Sequence, residues 1–210
     1  HGRLYVTSRH LVLGNGESRK GIQIEDLKKI GKVFACNGVY RSDTPDVLVA
    51  VDPKMLLEIA ESDYLDNNVV WSNYNAMYQK HPKILDKVQF FQPSLGWSSG
   101  PTALKYAADH KPKTVYILGF DYKGHDNKQH KKFNNIFKDT RNYKKSTEEA
   151  TFYGNWMNQT KRVLKDYPQT TFIRVTPRGW FRPNDLEWNK NLKHVDIEEF
   201  LKIHNLQLRF

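Results

Sequence analysis

Cysteine is nearly absent from this chain. Its single thiol, Cys36, rules out an internal disulfide and a cysteine-rich zinc site, and its setting in "VFACN" reads as a side chain buried in a strand. Long apolar runs are also missing. The longest, such as "VYILGF" at 115–120, fall far short of the ~20 residues a membrane helix requires, and no signal-like apolar stretch opens the sequence. The expectation is a soluble cytoplasmic protein with no membrane span. Acidic residues are under-supplied, 23 against 33 basic ones, and the formal net charge of +10 implies attraction to anions: nucleic acid, nucleotide phosphates or an acidic membrane surface. Internal repeats and linker-like segments are lacking, and nothing sets an oligomeric state. A chain of 210 residues with 39% hydrophobic and 13% aromatic content is expected to fold as a single domain over residues 1–210. His1 and His10, in the opening "HGRLYVTSRH", are assigned no role.

What is present alternates between strand and helix. "YVTSRHLVLG", "IQIEDLKKIG" and "VFACNGVY" read as strand, helix and strand, with Ile24, Leu27 and Ile30 at helical spacing. "DVLVAVD" is a nearly continuous apolar run of the kind buried in parallel sheets, and "PKMLLEIAESDYL" follows as one helix opened by proline. "NVVWSN" and "VQFFQP" predict two more strands, "TALKYAADH" a helix and "KTVYILGFD" its following strand. A helix opened by Ser146 or Thr147 and running to "LKDYP", the strand "TTFIRVTP" and a last helix "DIEEFLKIHNL" complete the pattern. The predicted fold is a doubly wound, Rossmann-like α/β domain with a mostly parallel sheet, in which ligands collect outside the carboxyl ends of the strands.

Polar and small residues gather at those ends: Gly14, Asn15, Gly16 and Ser18 in "LVLGNGESR", then Asn37, Asp52, Ser98, Ser99, Gly100, Asp121 and Tyr122. A glycine turn after a strand lets the backbone approach a phosphate, and serines at a helix start hold anions, although an ordinary turn or cap accounts for each motif alone. The basic stretch from about 122 to 147 interleaves lysines with aromatics. It reads either as a lid closing on a phosphorylated substrate or as a polynucleotide track. His125 and His130, with Asp126, have metal-like spacing only on a helix, and "GHDNKQH" is loop-like, so no metal site is assigned. "RGWFRPNDLEW" reads as an acceptor or partner patch or as an edge of the core.

"LVLGNGESR", "KVFACNGVYR", "VAVDP", "WSSG" and "TVYILGFDY", in this order and spacing, resemble segments of the bacterial sialyltransferases of glycosyltransferase family 42 and of the related MptE-like pterin pyrophosphokinases, over roughly residues 11–175. The resemblance implies nucleotide contacts at Asn15, Gly16 and Asn37, a donor-contacting position at Asp52, and phosphate and sugar-carboxylate binding at Ser99 and Gly100 beside Ser98. It also implies phosphate bonding by Tyr143; Tyr122, at a strand end, is expected to bond phosphate as well. The family's lid histidine, its general base, is not matched: Lys145 or Ser146 stands there, leaving His125, His130 or Asp121 as replacement bases. The expected function is transfer of a sugar from a nucleotide donor, such as a CMP-linked one, to an acceptor hydroxyl on a glycan or nucleic acid, with no cofactor required. The alternatives are a pterin-type pyrophosphokinase, which would need a divalent metal, and a nucleic-acid-binding protein.

Overall fold

The computed structural model describes residues 8–122, 134–145, 154–184 and 189–210. Within them, strands β1 (Arg9–Leu13), β2 (Lys32–Cys36), β3 (Val47–Val49), β4 (Val70–Ser72), β5 (Gln89–Phe90), β6 (Thr114–Leu118), β7 (Thr171–Thr176) and β8 (Leu192–Asp196) form one sheet. All neighbours run parallel, in the order β5-β4-β3-β2-β1-β6-β7-β8. The order reverses between β1 and β6, and that is where a doubly wound sheet opens a crevice at its carboxyl edge.

Leu11, Val12 and Leu13 are all fully buried, as strands covered on both faces require. Leu11 and Leu13 pack with helices α1 (Ile24–Leu27), α2 (Pro53–Glu61), α3 (Tyr64–Asn67), α4 (Pro82–Lys87) and α7 (Ile197–Ile203). Val12 packs with α5 (Ser99–Asp109) and α6 (Gly154–Asp166) on the opposite face. The predicted start of α6 at Ser146 or Thr147 lies outside the described residues.

Three expectations change. The helix expected over 22–31 contracts to the single turn α1, yet Ile24, Leu27 and Ile30 are still buried. The helix expected after Pro53 breaks into α2 and α3 at Ser62, whose hydroxyl donates to the Ile59 carbonyl at 2.6 Å and so competes with the backbone pattern. Strand β8, "LKHVD", escaped the pattern because it pairs only with β7 and is half-exposed, so it carries no apolar run.

His10, given no role on sequence grounds, belongs to the core. It sits in β1 at 3% exposure, its Nδ1 donates to the Ala107 carbonyl of α5 at 3.0 Å, and its ring lies 5.1 Å from Phe34 and 5.7 Å from His110. Burial first, then the charge neighbours His110 and Lys32, push its pKa down to about 4, against the opposing pull of the Ala107 bond and Asp46. An unfolded histidine takes up its proton near pH 6.5, so between those values the unfolded chain binds more protons and acid favours it. Stability should therefore fall by about 2–3 kcal/mol from this group as pH drops from 7 to 4. Thermal unfolding across that range should show the loss, and His10→Gln should remove this group's share of it, leaving that of the similarly shifted His194.

Candidate active site at the carboxyl edge of the sheet

The chain leaving β1 and the chain leaving β6 touch backbone to backbone. Gly14 N donates to Leu118 O at 2.8 Å and Gly16 N to Gly119 O at 2.9 Å. A Cβ on Gly14 would lie 2.6 Å from Gly119 O, and one on Gly119, at φ +73°, would overlap Gly14 O. A Cβ on Gly16 would likewise overlap the Asp121 carboxylate. The glycines of "LVLGNG" thus have an internal reason: two chain segments cross at a distance no side chain permits.

Asp121 locks that crossing. Its buried carboxylate accepts the Ser18 backbone N–H at 3.0 Å, the Ser18 hydroxyl, and Asn134 Nδ2 at 3.3 Å. Burial raises its pKa, while the Ser18 bonds, Arg174 and Asn134 pull the other way. Asn15 ties β1 to β2, donating from Nδ2 to Cys36 O at 3.1 Å and accepting from Arg19 at 2.8 Å. Arg19, 7% exposed, also donates from Nε to Gly14 O at 2.7 Å; burial lowers its pKa to about 10, which leaves it charged at neutral pH.

Asn37 sits one residue past β2 with φ +54°, a conformation asparagine tolerates. Its Oδ1 accepts from Ser99 Oγ at 3.1 Å, and Ser99 Oγ accepts from Val51 N at 3.0 Å, so the ends of β2 and β3 meet the start of α5. Ser98 is the N-cap residue of α5 but makes no side-chain cap bond; its own N–H donates to Gln159 at 3.2 Å. The first intrahelical donor is Thr102 N, Pro101 has no N–H, and the N–H groups of Ser99 and Gly100 are left at the open end of the helix dipole. Gly100 is packed so closely against the Trp156 ring that a Cβ would overlap it.

Residues 134–145 lie across this edge. Ile136 N donates to Asn15 O at 2.8 Å, and Gly38 N donates to the Tyr143 hydroxyl at 2.8 Å. Burial raises the Tyr143 phenol to about 12, so it acts as a neutral hydrogen-bond donor and acceptor. Arg41 anchors the segment: its guanidinium stands over the rings of Phe137 and Tyr143, donates to the Arg141 carbonyl at 2.6 Å, and grips Glu58 through Nε at 2.8 Å and a second nitrogen at 2.7 Å. Asn142 donates to the same carboxylate at 3.0 Å. Burial works to raise the Glu58 pKa, but the bonds from Arg41, Tyr40 and Asn142 prevail and lower it.

Of the residues singled out in the sequence, Gly14, Asn15, Gly16, Ser18 and Asp121 gather at the crossing, while beside it Ser99 is bonded to Asn37, Gly100 follows Ser99, and Tyr143 meets Gly38, the neighbour of Asn37. Asp52 is exposed and caps α2, accepting from Lys54 N at 2.8 Å. Tyr122 is enclosed beneath Arg174, whose guanidinium carbon is 5.3 Å from its ring centre. His125, His130 and Ser146 lie outside the described residues. Among the described residues no group of three or more histidine, cysteine, aspartate or glutamate side chains is placed to hold a metal. The sequence reading gave no role to Arg19 or Arg174. Arg174 is 1% exposed and donates to Phe120 O at 3.1 and 2.8 Å and to Phe181 O at 3.1 Å. A charged residue in the middle of the apolar strand "TTFIRVTP" was the available signal.

No protein-family profile matches the chain, and no curated protein matches it in sequence. The fold is shared with a solved structure, the MAf glycosyltransferase from Magnetospirillum magneticum AMB-1, with a TM-score of 0.56 at 14% identity. The alignment covers 97% of this chain and 35% of that one, so this chain spans about a third of that protein's length. Among the described residues, no helix is long and apolar enough to cross a membrane.

Asp121→Ala would strand the Ser18 and Asn134 donors in a buried setting, where each unmet group costs about 1–3 kcal/mol. A fall in Tm of several degrees is expected, with faster hydrogen exchange at the Ser18 amide. Glu58→Gln should loosen residues 134–145, read as faster limited proteolysis at Arg141 together with a lower Tm, because Arg41 loses its charge partner and Phe137 and Tyr143 lose packing on the core.

Proposed function

We propose that this chain is the donor-binding domain of a glycosyltransferase, taking a nucleotide sugar at the carboxyl ends of β1, β2 and β3. The observation that carries this reading is the uncapped start of α5. The free N–H groups of Ser99 and Gly100 lie beside Asn37 and within one residue of the Tyr143–Gly38 bond. Such a helix end favours phosphate, and Tyr143 supplies a neutral donor to it. Asn37, with a carbonyl and an amide, suits a ribose hydroxyl or a base edge. The buried guanidiniums of Arg19 and Arg174 add positive potential behind the edge. The fold shared with the MAf glycosyltransferase agrees with this reading, as does the motif resemblance to family 42, which favours a CMP-linked donor.

In the reaction, an acceptor hydroxyl oxygen bonds to the anomeric carbon as the bond from that carbon to the donor phosphate breaks. The nucleotide leaves with the electron pair. The hydroxyl proton passes to a general base, for which His125 and His130 are the candidates, the third, Asp121, being engaged by Ser18 and Asn134. Catalysis would rest mainly on positioning and on neutralising the leaving phosphate.

Thermal shift against CMP, CDP, UDP, GDP, ATP and their sugar conjugates, with and without magnesium, tests this. A selective shift by one nucleotide is expected, since a ligand at 100 times its Kd adds about 2.7 kcal/mol to stability. Asn37→Gly keeps the positive φ accessible while deleting the amide; it and Tyr143→Phe should each weaken nucleotide binding about tenfold, the effect of losing roughly 1.4 kcal/mol. No shift with any nucleotide, together with salt-sensitive oligonucleotide binding, would replace this reading with the nucleic-acid one.

A further inference from the structure

A cavity opens on the same edge of the sheet, at the ends of β7 and β8. It has a volume of about 610 Å³, within the range of small-molecule sites, and is lined by Arg178, Trp180, Arg182, Asn184, His194 and Asp196, with Glu199 at its rim. None of these residues belongs to the donor cluster described above. Arg182 donates to Asp196 Oδ1 at 2.9 Å and Arg178 Nε to Asp196 Oδ2 at 3.3 Å, so one carboxylate holds two guanidiniums across the opening. His194 is the odd member: both ring nitrogens are enclosed and neither makes a hydrogen bond. Burial, then Arg174 and Arg182, push its pKa down to about 4, so at neutral pH it holds one N–H and one acceptor nitrogen with no partner. That enclosure keeps both nitrogens out of solvent, so the groups the cavity offers a ligand are those of Arg178, Trp180, Arg182, Asn184, Asp196 and Glu199.

We infer that this cavity is a saccharide subsite. A pyranose offers hydroxyls that both donate and accept, set around a ring with an apolar face. The cavity answers with donors on two arginines, acceptors on Asp196 and Glu199, both functions on Asn184, and the broad indole surface of Trp180. A polyanion fits less well, because Asp196 and Glu199 would face its phosphates and both arginines are already shared with Asp196. β7 lies three strand positions from β2 along the sheet order, roughly 14 Å at the usual spacing. Donor cradle and cavity therefore share one edge, with the reversal between β1 and β6 between them. The saccharide in this cavity is the acceptor; that role rests on the proposed donor site, whereas the binding itself does not.

The test is binding of the intact chain to an array of defined neutral and uronate-bearing oligosaccharides, with nucleotide thermal shift measured in parallel. Binding to at least one saccharide is expected, reduced tenfold or more by Trp180→Ala and by Arg178→Gln, with the nucleotide shift unchanged in both. Arg178 is exposed, with 83% of its side chain open, so its variant should fold whatever Trp180→Ala does. Saccharide binding that both variants leave intact, or no saccharide bound at all, overturns the inference. Saccharide binding lost in the variants while no nucleotide binds would uphold the subsite and sink the donor reading instead.

Discussion

The contact between the chain leaving β1 and the chain leaving β6, glycine against glycine, organises the whole edge. Because Gly14 and Gly119 lack side chains, the sheet's hydrogen bonding continues past the strands, and Gly16 reaches Gly119 O. That proximity puts Ser18 against Asp121 and lets Arg19 fold back beneath the turn onto Gly14 and Asn15. Any side chain larger than hydrogen at the crossing would separate β1 from β6, and with them the two halves of the sheet.

The second half of the arrangement is the segment 134–145, held by a few groups around one buried carboxylate. Glu58 gathers Arg41, Tyr40 and Asn142, and Arg41 in turn lies under Phe137 and Tyr143. A carboxylate satisfied by several donors in a partly buried setting is a far firmer anchor than a surface ion pair such as Arg141 with Glu61, whose side chains are both largely exposed. This is how a strongly basic segment comes to rest over the strand ends. Its aromatic and asparagine side chains make contacts inside the fold and Lys138 pairs with Glu17, while Arg141, Lys144 and Lys145 are exposed.

The two candidate sites divide one edge by chemistry. Around α5 the groups are backbone N–H donors, an asparagine and a neutral tyrosine, a set suited to phosphate and ribose. Around β7 and β8 they are paired arginines and carboxylates beside an indole and an unpartnered imidazole. Arg174 stands between, donating to Phe120 O next to Asp121 and to Phe181 O next to Arg182. It is the physical link from the locked crossing to the cavity at the ends of β7 and β8.

Much of this was legible in the chain. The apolar runs at 11–13, 47–49 and 115–118 are too short for core helices and rich in β-branched residues, and their alternation with helical patterns implies strands of a parallel sheet. The residues following those runs fall at one edge for the same reason, so Asn15, Asn37, Ser99 and Asp121 could be grouped before any coordinates. Only the tertiary structure decided what each one touches. Short-range pattern cannot tell that Asp121 meets Ser18 across 103 positions, that Arg174 reaches around the end of its strand to two carbonyls, or that His10 is sealed against α5. Nor could it separate an anchored residue from one facing an open cavity, because that depends on packing between elements distant in the chain. The sequence determined which edge of the sheet carries the polar groups; the fold decided which of them bind the protein to itself.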